Sequence, residues 1–187
     1  MKKILMICLV LISFQAKSQT FDGVYIGGSV TKCLETLKLK KYIVVNYNTQ
    51  GHSYRINGKK DGVPLECYLF KNKSGKVRSF DCYLPAQTNY NVLHNQYNDY
   101  KTSLTEKYGE PLQEKFEFVS PYAEGDGYEM QAIKYENLKA FCVFNGGDNA
   151  TIYLTIYKTG QVLIGVSNDA MQREHTAEES KTIQNTF

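Results

Sequence analysis

The feature that most constrains the fold is a pair of alternating runs, Leu65-Glu-Cys-Tyr-Leu-Phe70 and Val77-Arg-Ser-Phe-Asp-Cys-Tyr-Leu84, on either side of Lys71-Asn-Lys-Ser-Gly-Lys76. Period-two alternation marks strands with one buried face. With the turn centred on Ser74-Gly75, Leu65 faces Leu84, Cys67 faces Cys82 and Leu69 faces Phe80, all apolar and on one side. The other side pairs Glu66 with Tyr83, Tyr68 with Asp81 and Phe70 with Ser79. A one-residue slip would mix the two sets, so burial alone specifies the register. It also sets Cys67 opposite Cys82, with Cβ atoms ~4.5–5.5 Å apart, near the reach of a disulfide. A Cys67–Cys82 bond is expected. The alternative is two buried free thiols acting as small hydrophobes.

The flanking chain supplies further elements. Ser29 is a candidate N-cap, and Val30, Cys33, Leu34 and Leu37 follow helical spacing over about ten residues. Tyr42–Tyr47 and His52–Ile56 form a hairpin around Gln50-Gly51, with Val45 facing Ile56 and Tyr47 facing Tyr54. A longer helix begins near Asn89, where Leu93, Tyr97, Tyr100, Leu104 and Tyr108 make one stripe ended by Gly109. Strand-like runs follow at Glu114–Val119, Tyr128–Tyr135 and Leu138–Phe144. Gly146–Asn149 turns the chain, and Thr151–Tyr157 and Val162–Val166 form a hairpin around Thr159-Gly160. The polar stretch 169–187 shows no apolar stripe and reads as a loose helix or disordered tail.

The first residues bear on compartment. Met-Lys-Lys precedes an apolar run, Ile4–Phe14, too short to span a bilayer, and Ala16-Lys17-Ser18 places small residues before a cut at Ser18-Gln19. Residues 1–18 are therefore expected to be a signal peptide, and the protein to be exported to the periplasm or beyond the cell. Cys8 lies inside the apolar run behind bulky Ile7, a poor match to a lipid-modified cysteine. Lys2, Lys3 and Lys17 belong to this segment, which leaves 19 of 22 Lys and Arg against 19 Asp and Glu. A neutral chain without a basic run argues against nucleic acid as a partner. No second apolar stretch is long enough to span a membrane. Cys33, Cys67, Cys82 and Cys142 remain, an even number that fits disulfides in an oxidising compartment; Cys33 could pair with Cys142.

The expected fold class is α+β: a single domain over 19–168, an antiparallel sheet with two main helices packed on one face. Both halves, 21–86 and 88–168, read as a helix followed by strands, a tandem α-β-β-β repeat. Phe21-Asp-Gly-Val-Tyr-Ile-Gly-Gly-Ser29 before the first helix and Lys107-Tyr-Gly-Glu-Pro111 after the second carry a resemblance. In topology the chain resembles tandem helix-plus-sheet secreted domains of the beta-lactamase-inhibitor-protein-like type. The resemblance implies a non-catalytic, protein-binding scaffold; no inhibitor residues map onto this sequence, and a fold alone does not define a function.

Candidate chemistry is sparse. His52, His94 and His175 have no His or Cys at metal-ligand spacing; His175 with Glu174, Glu178 and Glu179 reads as a solvated tail rather than a metal clasp. Cys33 lies on an apolar stripe, which favours packing over nucleophilic chemistry. Gly27-Gly28-Ser29 could cradle a phosphate but lacks the P-loop lysine and the dinucleotide spacing. Glu66 and Asp81 fall on solvent-facing strand positions among many scattered acids. No catalytic, cofactor-binding or metal residue is assigned, and no cofactor is expected. Tyrosine is the compositional excess, 15 residues against no Trp. Tyr68, Tyr83, Tyr153 and Tyr157 fall on strands at same-face or neighbouring positions, where tyrosine offers rigid amphipathic contact area. The leading expectation is an exported interaction module that contacts a protein, or secondarily a glycan, through this face. The alternative is a small exported hydrolase using carboxylate or Tyr chemistry.

Overall fold

The computed structural model describes residues 20–21, 24–48, 52–173 and 175–176. The expected signal peptide, the Gln50-Gly51 turn and most of the C-terminal tail lie outside them. Chain order is β1 (Thr20–Phe21), β2 (Val24–Tyr25), α1 (Val30–Leu39), β3 (Ile43–Asn48), β4 (Ser53–Lys60), β5 (Val63–Lys71) and β6 (Val77–Tyr83). Then come α2 (Tyr90–Tyr108), β7 (Gln113–Phe118), α3 (Glu129–Lys134), β8 (Leu138–Gly147), β9 (Ala150–Tyr157) and β10 (Gln161–Asn168). The protein is α+β and mainly sheet: β1 and β2 form a small ladder, and the other eight strands form one antiparallel sheet in the order β3-β4-β5-β6-β10-β9-β8-β7. Four strands, rather than three, follow each of α1 and α2. The last strand of each set, β6 and β10, meet in the middle of the sheet.

The β5–β6 register is as the alternation requires: Glu66↔Tyr83, Cys67↔Cys82, Tyr68↔Asp81, Leu69↔Phe80 and Phe70↔Ser79. The expected Cys67–Cys82 disulfide does not accompany it. Cys33, Cys67, Cys82 and Cys142 are all free and buried. Facing Cβ atoms stand ~4.5–5.5 Å apart, whereas a disulfide wants ~3.5–4.5 Å, so bridging would pull two central strands together. Cys67 instead packs as an apolar side chain, fully buried beside Ile56 and Leu69 in one core cluster.

That core lies against one sheet face. Leu65, Leu69, Phe80, Ile164, Leu154 and Phe144 project into it, and Leu93, Tyr97, Leu104 and Tyr108 of α2 close over it. Each fully buried large side chain stabilises the fold by roughly 1.5–3 kcal/mol relative to exposure. Helix α2 contacts β8, β9 and β10. Its start follows the sequence: the Asn89 side chain accepts a hydrogen bond from the Val92 amide at 3.1 Å, and Gly109 at φ 88° ends the helix. Cys33 and Leu37 of α1 join the same cluster. Ser29 occupies the N-cap of α1 without a side-chain capping bond.

Three local readings change. Val44, not Val45, faces Ile56, because a β-bulge between Val44 and Asn46 absorbs one residue before Tyr47 meets Tyr54 as expected. Strand β4 runs on to Lys60 and turns through Asp61-Gly62, both at positive φ (51° and 82°), the geometry of a two-residue hairpin turn. Residues 129–134 are helix α3 and not strand. Ahead of α3, the Asp126 carboxylate accepts from the Ala123 and Tyr128 amides and Glu129 accepts from the Gly125 amide; these bonds set a turn that feeds a helix, and Ala132 and Ile133 bury its inner side. After Asn168 the described residues 169–173 and 175–176 are helical, the first of the two forms expected of this stretch, with the Asn168 side chain capping the Met171 amide at 3.0 Å and His175 buried.

Candidate functional site

The face opposite the core carries a line of polar and aromatic side chains. Strand pairing places Arg55, Tyr68, Asp81, Gly165 and Tyr153 in one row across five strands. The next row holds Asn57, Glu66, Tyr83, Leu163 and Thr155. All four tyrosines singled out in the sequence lie together here. The Tyr83 ring stands edge-on to Tyr68 (centroids 5.8 Å apart, planes at 84°) and to Tyr157 (5.7 Å, 76°), the geometry aromatic pairs prefer. Tyr157 is the most open of the four, at 38% exposure; the other three are half-buried.

Gly165 makes the row possible. A Cβ at this position would lie 2.1 Å from the Tyr153 ring, so the ring crosses the bare backbone of β10. Its hydroxyl then donates to Asp81 Oδ1 at 2.5 Å. Tyr68, directly across from Asp81, donates instead to Glu66 Oε1 at 2.5 Å, and Arg55 Nε holds the same carboxylate at 2.9 Å. Burial pushes the Asp81 carboxyl up to about 6, against the opposing pull of the Tyr153 bond and the Arg78 charge. Burial, then the charges of Asp81, Tyr157, Tyr68 and Glu66, push the Tyr83 phenol up to about 12. The Tyr153 phenol is also raised, first by burial and then by Asp81. At neutral pH these hydroxyls are hydrogen-bond donors and poor bases.

Two concavities border the aromatic patch. A cleft of about 310 Å³ lies between Asp81, Tyr153, Arg78, Phe70 and Gln172. A larger groove of about 680 Å³ has Tyr83 as one wall.

The other sequence candidates resolve differently. At the start of α1, the Gly27 and Val30 amides donate to the carbonyls of Val77 and Gly75, and Gly28 donates to Tyr25, so these donors are already engaged. Burial raises the Cys33 and Cys142 thiols, which keeps them protonated and weakly reactive. Among the described residues no three His, Cys, Asp or Glu side chains converge as a metal site. His175 stands edge-on to His52, rings 6.5 Å apart, while Glu174, Glu178 and Glu179 lie outside the described side chains. His94 stacks between Tyr90 and Phe116, at 5.4 and 4.9 Å.

Sequence reasoning did not single out Gly165 or pair Asp81 with Tyr153. A lone Gly within the apolar run Val162–Val166 was the available signal, since glycine inside a strand marks close approach of another group. Comparison with protein-family models, curated proteins and solved structures found no match.

Proposed function

We propose that this chain is an exported, non-catalytic binding module of the cell envelope that contacts another protein through the face around Tyr68, Tyr83, Tyr153 and Tyr157. The observation that carries the reading is the edge-on cluster of Tyr68, Tyr83 and Tyr157 on the sheet face away from the core. Rigid aromatic rings with a polar hydroxyl give contact area at low entropic cost, which is why tyrosine concentrates at protein interfaces. Export rests on the basic and apolar character of residues 1–18, with cleavage after Ser18 and a periplasmic or extracellular destination. The scaffold in this reading is a duplication, 21–86 and 88–168, each half one main helix and four strands with both helices on the core face.

A second reading, a small hydrolase, draws on one observation: Asp81, a carboxyl with its pKa raised to about 6, borders a cleft beside Arg78. The binding reading has the stronger support, because Tyr153 caps that carboxylate. A glycan is the lesser alternative as ligand. The test is chemical cross-linking of the tagged protein in its native envelope, followed by mass spectrometry. One dominant protein adduct that disappears in Tyr68→Ser/Tyr83→Ser supports the module; adducts unchanged by that double substitution sink it.

A further inference from the structure

The groove of about 680 Å³ that shares Tyr83 with the aromatic patch has its own chemistry. Its surface is apolar where Ile43, Pro64 and Pro85 line it. Gly58 also lines it, and the buried Tyr42 ring packs over its backbone, where a Cβ would lie 2.0 Å from that ring. Its charges are unbalanced: Lys40, Lys41 and Lys59 line it against one acid, Glu66. That acid is already engaged, by Arg55 at 2.9 Å and by the Tyr68 hydroxyl at 2.5 Å. Lys41 and Lys59 are exposed and make no ion pair among the described residues. Lys41 is held at φ 65° just past the end of α1, a conformation non-glycine residues adopt at a cost. A concave apolar surface with unbalanced positive charge, in a molecule otherwise near neutrality, attracts an apolar ligand carrying negative charge. The volume is within the ~300–1,000 Å³ of ordinary ligand sites.

We infer that this groove receives an acidic segment of the partner protein, in which carboxylate side chains meet Lys41 and Lys59 while a neighbouring apolar side chain enters between Ile43, Pro85 and Tyr83. The inference rests on the proposed protein-binding role and names the partner's chemistry at one end of the same face. Electrostatic attraction of this kind steers association and weakens with salt.

The test is fluorescence anisotropy of a labelled acetyl-Glu-Leu-Glu-Leu-Glu-amide peptide titrated with the whole chain. Acetyl-Lys-Leu-Lys-Leu-Lys-amide and inorganic phosphate serve as comparisons. The acidic peptide is expected to bind saturably, at least tenfold tighter than the basic one and more weakly as salt rises. Lys41→Glu/Lys59→Glu, both at exposed positions, is expected to lose at least tenfold in affinity while keeping its melting temperature. Tyr83→Ser is also expected to weaken the peptide. Absence of saturable binding, equal binding of both peptides, or full retention in the lysine variant overturns the inference. So does displacement of the peptide by millimolar phosphate, which reduces the groove to a simple anion site. If the cross-linked partner depends on Tyr68 and Tyr83 while this peptide result is negative, the groove assignment fails and the binding role stands.

Discussion

Tyr153 and Asp81 are 72 residues apart in sequence, yet the phenol donates to the carboxylate at 2.5 Å across the glycine backbone of the strand between them. This bond ties β9 to β6 over β10, at the point where the two sets of strands meet. It also buries a carboxyl group that would otherwise face water.

The pKa of Asp81 predicts a direction of pH dependence. The folded-state value of about 6 lies above the ordinary 3.8, so the folded protein holds this proton more tightly than the unfolded chain. The associated stability is fully present below about 3.8 and is lost as pH rises through about 6. Asp81→Asn keeps an acceptor for Tyr153 but removes the titration. Urea unfolding should find the substitution more favourable, relative to wild type, at pH 7.5 than at pH 4.5. Parallel profiles would show that Asp81 is not the titrating group.

Gly165→Ala should destabilise the protein by about 1–3 kcal/mol, because the added methyl must displace the Tyr153 ring. Most of that loss should vanish in a Tyr153→Ala background, where the ring is gone. A double-mutant cycle of denaturation curves measures the coupling. Additive losses would mean that the ring does not lie over this backbone.

Tyr97 separates packing from hydrogen bonding. Its ring is buried in the core and its hydroxyl shares a 3.2 Å hydrogen bond with the Cys142 thiol. Tyr97→Phe should cost no more than about 1.5 kcal/mol. Tyr97→Ala should cost about 3–5 kcal/mol, as for other large-to-small core substitutions. Chemical denaturation of the two variants gives both numbers.

The four described cysteines predict a redox result. They are free and buried, so alkylation in denaturant without reductant should modify all four, whereas the native protein should react slowly. Melting temperatures with and without reductant should coincide. A drop of several degrees on reduction would instead reveal a bond, since a loop of about 15 residues is worth ~3 kcal/mol in the chain-entropy model.

How much could be read from the sequence depended on how local the determining interaction is. The β5–β6 register was readable because alternation and turn length are contained within about twenty consecutive residues, and a half-buried strand punishes any slip. The α2 stripe and its Asn89 and Gly109 ends were readable for the same reason. Helix α3 leaves no period in the sequence because it has six residues; its identity comes from the Asp126 and Glu129 bonds at its start. The bulge at Val45 leaves no mark in composition. Asp61-Gly62 was a readable hairpin signal that the strand pattern had overshadowed. The four tyrosines were found by their strand positions, but their meeting depends on β6 pairing with β10, a long-range choice that no local pattern encodes. Asp81 therefore read as one acid among many until Tyr153 was brought to it.

The central claim is that the Tyr68–Tyr83–Tyr157 face binds a protein. The most direct measurement is the affinity of the cross-linked partner, once purified, for wild type, Tyr68→Ser/Tyr83→Ser and Tyr135→Ser. Tyr135 is 58% exposed and lies at the C-cap of α3, outside the patch, so it controls for loss of any surface tyrosine. The double substitution should lose at least tenfold in affinity and Tyr135→Ser none, with melting temperatures alike. Equal affinities for all three proteins would contradict the claim.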